Sequence, residues 1–274
     1  MFTYIESLED LEFLNKELSE KLYIGVDTEF RRTTKDNMRL ALLQINDQDE
    51  IYLIDAKAIE DPKEQANFLF SDSVVKIFHS CKEDLEAVHA WTDNQMTNIF
   101  DTQLANSFLG SDFSISYQAL VEKKLGINLE KTETRSNWMR RPLTDSQLKY
   151  AALDVEYLIP IYLDQASELK KYGKNDWYDQ EIQKLIKTTF NPYSLEDLKR
   201  VLPRSQESEM LMNLSNLILE ISKRENINAT MFFSKKAQKN FLRLMLTHGL
   251  GQACEGLTQW RRLLLEERLY DLLR

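Results

Sequence analysis

The feature that most constrains the fold is Ile24-Gly25-Val26-Asp27-Thr28-Glu29-Phe30, an apolar run with two acids at alternate positions. Successive side chains of a strand point to opposite faces, so a spacing of two places Asp27 and Glu29 on one face. On an edge strand such a pair would be a solvated face. The flanking Tyr23, Ile24, Val26 and Phe30 indicate a largely buried strand instead. There, two unpaired acids repel at a cost of about several kcal/mol unless a cation neutralises them. Hard divalent cations, Mg²⁺ and Mn²⁺, prefer carboxylate oxygen and water and are the natural partners.

Around this strand the sequence alternates. Ser7-Leu8-Glu9-Asp10 has the form of a capping box, and Leu8, Leu11, Leu14 and Leu18 recur at helical spacing, so an amphipathic helix is expected to open the chain. Three strand-like runs follow, Leu22–Phe30, Arg39–Ile45 and Ile51–Ala56, whose short polar connectors predict an antiparallel meander. A fourth, Val74–His79, leads into Ser80-Cys81-Lys82-Glu83, a second Ser-x-x-Glu helix start, and a short strand is expected at Ile99–Thr102. The order is mixed α/β. Beyond Tyr172-Gly173 strand signals cease and the pattern is helical.

Two further groups carry potential chemistry. Tyr150 and Asp154 stand four apart in a helical stretch and share a face, with Ala151, Ala152, Leu153, Val155 and Leu158 around them. An isolated pair of this kind is ordinarily a core tyrosine beside an exposed acid. Asp84, near the start of a helix after a buried strand, has its own plain reading as a partner of the helix dipole.

The order of these segments is more specific than any one of them. Gly-Val-Asp-Thr-Glu-Phe, then His-Ser-Cys-Lys-Glu-Asp-Leu-Glu, then Leu-Thr-Asp-Ser-Gln-Leu-Lys-Tyr-Ala-Ala-Leu-Asp-Val-Glu-Tyr-Leu resemble the three motifs of the ribonuclease D family, within the tyrosine-bearing branch of the DEDD exonucleases. Arg39-Leu40-Ala41-Leu42-Leu43-Gln44-Ile45 and Asn137-Trp138-Met139-Arg140-Arg141-Pro142-Leu143 are similar to further family segments. The resemblance implies an α/β fold: a ribonuclease-H-like mixed-sheet exonuclease domain over residues 1–172, then a linker helix over 173–189 and a small all-α HRDC-like domain over 190–274. It implies four metal-binding acids, Asp27, Glu29, Asp84 and Asp154, holding two divalent ions, Mg²⁺ or Mn²⁺, with Tyr150 contacting or orienting the attacking water. The implied activity is 3′→5′ hydrolysis of RNA 3′ ends to nucleoside 5′-monophosphates, with tRNA precursors among the substrates. A DNA exonuclease with the same acids is the alternative within this class, and a non-catalytic RNA-binding protein the alternative outside it.

Other residues stay open between roles. His79 ends a buried strand and lies near the substrate or serves the structure; Gln44 meets the nucleotide or its neighbouring strand. Trp138 and Arg141 could stack on a base and bind phosphate, or Trp138 could cover the core; Phe30 could wedge against a terminal base or pack inside. Asp101 is read as structural. Residues 191–274 hold 13 Lys/Arg against 10 Asp/Glu, within a chain of net charge −9. Lys235, Lys236, Lys239, Arg243, Arg261 and Arg262 are therefore candidates for phosphate contact. Cys81 and Cys254 lack metal or disulfide spacing, which with the absence of a signal-like or membrane-spanning run predicts a reducing cytoplasm and no membrane.

Overall fold

In the computed structural model, residues 2–34, 37–59, 61–110, 112–129, 136–191 and 198–272 are described. Six strands form one sheet: β1 (Phe2–Ile5), β2 (Tyr23–Thr34), β3 (Asn37–Asn46), β4 (Ile51–Ile54), β5 (Val75–Phe78) and β6 (Ile99–Asp101), in the order β1-β4-β3-β2-β5-β6. β2, β3 and β4 make the expected antiparallel meander, while β1 runs parallel to β4, and β5 to both β2 and β6. The chain opens on strand β1, before the expected helix α1 (Leu8–Ser19) that Ser7 caps through Asp10 N–H. Four residues at a sheet edge are too short to give a periodic signal, and their pairing with β4, some fifty residues on, is invisible locally.

The acid-bearing strand lies inside the sheet, between β3 and β5. A register shift between Glu29 and Phe30 sets Glu29 opposite Leu42 but Phe30 opposite Leu40, leaving Ala41 as the extra residue on β3. Ala41 and Leu42 consequently join one core cluster with Leu53, Trp138 and Ala151.

Helix α2 (Lys82–Thr92) starts differently from expectation. Ser80 does not cap it; Ser80 takes a left-handed turn (φ 69°), and the N–H groups of Ser80 and Cys81 donate to Asp101 at 3.1 and 2.9 Å. The terminus is capped by a carboxylate from the neighbouring strand, which gives Asp101 its structural role.

Helices α3 (Thr102–Phe108), α4 (Tyr117–Leu125), α5 (Asp145–Glu156) and α6 (Leu158–Lys171) follow, then α7 (Asn175–Phe190), α8 (Arg204–Arg224), α9 (Ala229–Phe233), α10 (Lys235–His248), α11 (Leu250–Glu255) and α12 (Gln259–Leu272). The chain divides into two compact units, one of residues 1–103 and 115–167, the other of residues 104–114 and 168–274. The helical unit thus takes a short segment from within the α/β region. Its core centres on Trp260, packed on Phe108, Trp177 and Phe232 at ring distances of 5.3, 5.2 and 5.4 Å. Trp260 donates to Glu181, which also pairs with the buried Arg261. Arg261 further donates to the Phe232 and Met231 carbonyls, and Arg243 pairs with Glu207, so these two arginines hold the unit together. Lys235, Lys236 and Lys239 remain exposed on α10. Both cysteines are free and buried. Among the described residues no helix is long and apolar enough to cross a membrane.

Candidate active site

Strand alternation sends the side chains of Asp27 and Glu29 out of one face of β2, and Gly25 shares that face. Above it lies α5, begun by a capping box in which Thr144 and Gln147 exchange hydrogen bonds. A methyl group on Gly25 would stand 3.1 Å from Leu158 Cβ and 3.2 Å from Val155 O, so glycine is what lets the end of α5 sit this low. Asn46, the register partner of Gly25, fixes that end by donating Nδ2 to Val155 O at 3.0 Å and Glu156 O at 3.1 Å. The seat places Asp154, the residue before Val155, against the strand acids. Asp27, Glu29 and Asp154 each offer a carboxylate oxygen within 4.8 Å of the others.

Asp84 stands beside this trio, not within that distance set. It is buried in the first turn of α2, where Thr28 Oγ1 donates to it at 2.5 Å. Thr28 lies between the two strand acids and points to the other face, so one Asp-Thr-Glu tripeptide supplies two carboxylates and the anchor of a third. Arg32, further along β2, pairs with Glu83 at 3.5 Å and with Glu86, holding α2 to the same strand.

The electrostatics follow from burial and crowding. Burial, then the charges of Asp84, Asp154 and Glu29, push the Asp27 carboxyl well above the usual range. Glu29 is pushed up to about 9 by burial, then Asp154 and Asp84. Burial raises Asp84 and Asp154 to about 7 each, opposed by hydrogen bonds from Thr28 and Tyr150 respectively. The half-buried Tyr150 thus donates its hydroxyl to Asp154; burial and the neighbouring acids raise its pKa, and its ring lies 6.1 Å from that of Trp138. Among the described residues, no lysine or arginine pairs with any of the four acids. The donor set is all hard oxygen, mutually repelling when charged, and it fits divalent cations.

A pH-dependent stability follows. Carboxyls whose folded pKa is raised favour the folded state below their unfolded value of about 4, and that advantage is lost as pH rises through the folded value. The folded values here reach about 7 for Asp84 and Asp154 and about 9 for Glu29. The metal-free protein should lose melting temperature from about pH 5 to pH 9, and saturating Mn²⁺ or Mg²⁺ should flatten or reverse that slope. Scanning calorimetry in chelator and in metal checks this; identical slopes in both would remove the acids as the source.

The remaining sequence candidates occupy varied positions. Trp138 is buried in the core cluster, with its ring packed inside the protein. Arg141 spends its donors on protein acceptors: Nε and Nη2 grip Asp55 at 2.5 Å each, and Nη2 and Nη1 reach Ala41 O and Trp138 O at 2.7 Å. The Ala41 carbonyl belongs to the bulge. His79 has both ring nitrogens engaged, Nε2 with Ile115 O and Nδ1 with Thr102 Oγ1, each at 2.9 Å, and burial lowers its pKa. Phe30 is partly buried at the bulge beside Glu29. Gln44 is wholly buried opposite Asp27. Sequence reading overlooked Thr28 and Asn46. A hydroxyl between two acids, and an amide ending an otherwise apolar strand, were the signals available.

A six-stranded mixed sheet with acids converging from a central strand and two helices defines the ribonuclease-H-like exonuclease fold. The sequence profile of the 3′-5′ exonuclease family matches residues 2–170, and the chain belongs to that family. Within it, the chain is similar to the ribonucleases D. It is 36% identical over 185 residues to ribonuclease D of Shewanella sp., covering 68% of this chain and 48% of that protein. The crystal structure of Escherichia coli RNase D, described as an exoribonuclease involved in structured RNA processing, superposes with a TM-score of 0.68 at 26% identity, covering 99% of this chain and 74% of that one. Brucella melitensis NrnC with bound Mg²⁺ shares the fold, with a TM-score of 0.58 at 20% identity over 73% of this chain and 96% of that one. The chain spans about half the length of the curated relatives it matches.

Proposed function

We propose that the chain is a metal-dependent 3′→5′ exoribonuclease that shortens RNA from its 3′ end and releases nucleoside 5′-monophosphates. The observation that carries this reading is the convergence of Asp27, Glu29 and Asp154 within 4.8 Å, with Asp84 buried beside them. Membership of the 3′-5′ exonuclease family and similarity to ribonucleases D support the choice of reaction and of RNA.

Asp27, Glu29, Asp84 and Asp154 would hold two divalent cations, Mg²⁺ or Mn²⁺. Bound there, such ions supply Lewis-acid activation of water and neutralise charge on the phosphate and the leaving oxygen. The protein's own contribution is to fix the ligands. Gly25 and Asn46 set the height of α5, Thr28 orients Asp84, and Tyr150, held at Asp154, orients the attacking water. Hydrolysis forms a P–O bond to water and breaks the P–O3′ bond, so the terminal nucleotide leaves with its 5′-phosphate and the shortened RNA keeps a 3′-hydroxyl. By similarity, structured RNAs such as tRNA precursors are the proposed substrates. The helical region from about residue 190 is proposed as an HRDC-like nucleic-acid-binding domain, with Lys235, Lys236 and Lys239 as its exposed cations.

The test is incubation of 5′-labelled RNA and a DNA of matched sequence with Mg²⁺, Mn²⁺ or chelator. RNA should shorten stepwise from the 3′ end in metal only, with nucleoside 5′-monophosphates as products. Internal cuts, or cleavage in chelator, would sink the reading; faster shortening of DNA would reassign the substrate.

A further inference from the structure

Gln44 is wholly buried, and neither its Oε1 nor its Nε2 has a hydrogen-bonding partner. An amide left unmet inside a protein loses its hydrogen bonds to water and gains none, so an apolar residue would serve a purely structural position better. Its place in the sheet narrows what it can meet. Gln44 is the register partner of Asp27 on one side and of Leu53 on the other. Residues directly opposed leave the sheet on the same face, with Cβ atoms roughly 4.5–5.5 Å apart. The amide therefore rises between a carboxylate and a leucine, on the face that carries the acids.

The polar groups that neighbouring strand positions carry on that face are spoken for. Asn46, two residues on, donates to the Val155 and Glu156 carbonyls and accepts from Gln48 N–H. Asp55, two residues beyond Leu53, is held by Tyr4, Arg141 and Lys57 N–H. Glu29 lies opposite Leu42, one pair further along. Asp27 is left, and an ionised carboxylate has about four lone-pair sites, enough for a cation and an amide to share.

We propose that Gln44 is a positioning residue for Asp27, its Nε2–H donating to the Asp27 carboxylate in the metal-bound protein and fixing the rotamer that ligates. The inference rests on the proposed metal site. It moves Gln44 from a direct contact with nucleotide to a partner of a ligand, a kind of support whose loss ordinarily weakens metal affinity about 10–100-fold.

Gln44→Met keeps the length and volume of the side chain and removes both polar atoms. Mn²⁺ titrated calorimetrically should bind this variant about tenfold or more weakly than wild type, while its melting temperature in chelator should equal or exceed that of wild type. Wild-type Mn²⁺ affinity with a lowered melting temperature would overturn the inference and make Gln44 a structural residue. If wild type itself binds no Mn²⁺, the metal-site reading fails and this inference with it; wild-type binding matched by the variant defeats the inference alone. The side-chain amide resonances of Gln44 in ¹⁵N-labelled wild type decide the matter independently, even if the variant does not fold. Saturating Mg²⁺ should shift them and slow their exchange with solvent, and unchanged resonances would overturn the assignment.

Discussion

Asp27→Asn is expected to abolish turnover while leaving the metal-free protein at least as stable as wild type, and Asp154→Asn to do the same. Asparagine matches aspartate in shape, so packing between β2 and α5 survives, but the charge that binds a cation is gone. Asp27 is partly buried among three other acids, and its carboxyl is pushed well above the usual range by loss of solvation and by their charges. Removing one charge relieves that repulsion, and each kcal/mol recovered should appear as about 2–4 °C of melting temperature in chelator. The catalytic loss runs the other way. A missing ligand removes about 4 kcal/mol or more of charge stabilisation at the reacting phosphate, a fall on the order of 10³-fold or greater in rate. Mn²⁺ calorimetry, melting in chelator and single-turnover cleavage on the same samples separate the effects. Either variant with wild-type Mn²⁺ affinity and wild-type rate would remove that residue from the site.

The strand acids were legible because their chemistry is local: alternation fixes their common face, and apolar neighbours fix their burial. Asp84 and Asp154 were legible only through the order of three motifs, since nothing near either residue says what it meets. What brings them together is long-range. Asn46 reaches α5 across 109 positions, and Thr28 reaches Asp84 across 56. Gly25 matters for the backbone passing over it, which a sequence does not display. Arg141 shows the converse error. A basic residue in a polar segment looks available for phosphate, yet its carboxylate partner Asp55 lies 86 positions earlier and its carbonyl partner Ala41, at the bulge of β3, lies 100 positions earlier. Trp138, three residues before it, is drawn into the core by the same packing. The spacing reveals helix α2 but points to the nearest serine as its cap, because a carboxylate from β6 leaves no trace in local spacing.

Tyr150→Phe should slow single-turnover hydrolysis by on the order of 10²–10⁴, the range for a positioned acid–base group, with little change in Mn²⁺ affinity or melting temperature. The substitution deletes one hydroxyl, and the ring keeps its place against Trp138. All four carboxylates remain, so the proposed ligand set is intact. The hydroxyl donates to Asp154, and burial together with the acids raises its pKa, which makes deprotonated Tyr150 scarce near neutral pH. A group so held acts by orienting water, not by taking its proton, and this distinction can be measured. If Tyr150 were the base, the wild-type rate would climb with pH toward its raised pKa, and the phenylalanine variant would lose that limb. If it orients water, the variant should be slower by the same factor across the pH range, with the profile keeping its shape. Saturating RNA in single-turnover conditions isolates the chemical step from product release. An unchanged rate would return Tyr150 to the core cluster as a packing residue, and a change in the shape of the profile would make it the proton acceptor.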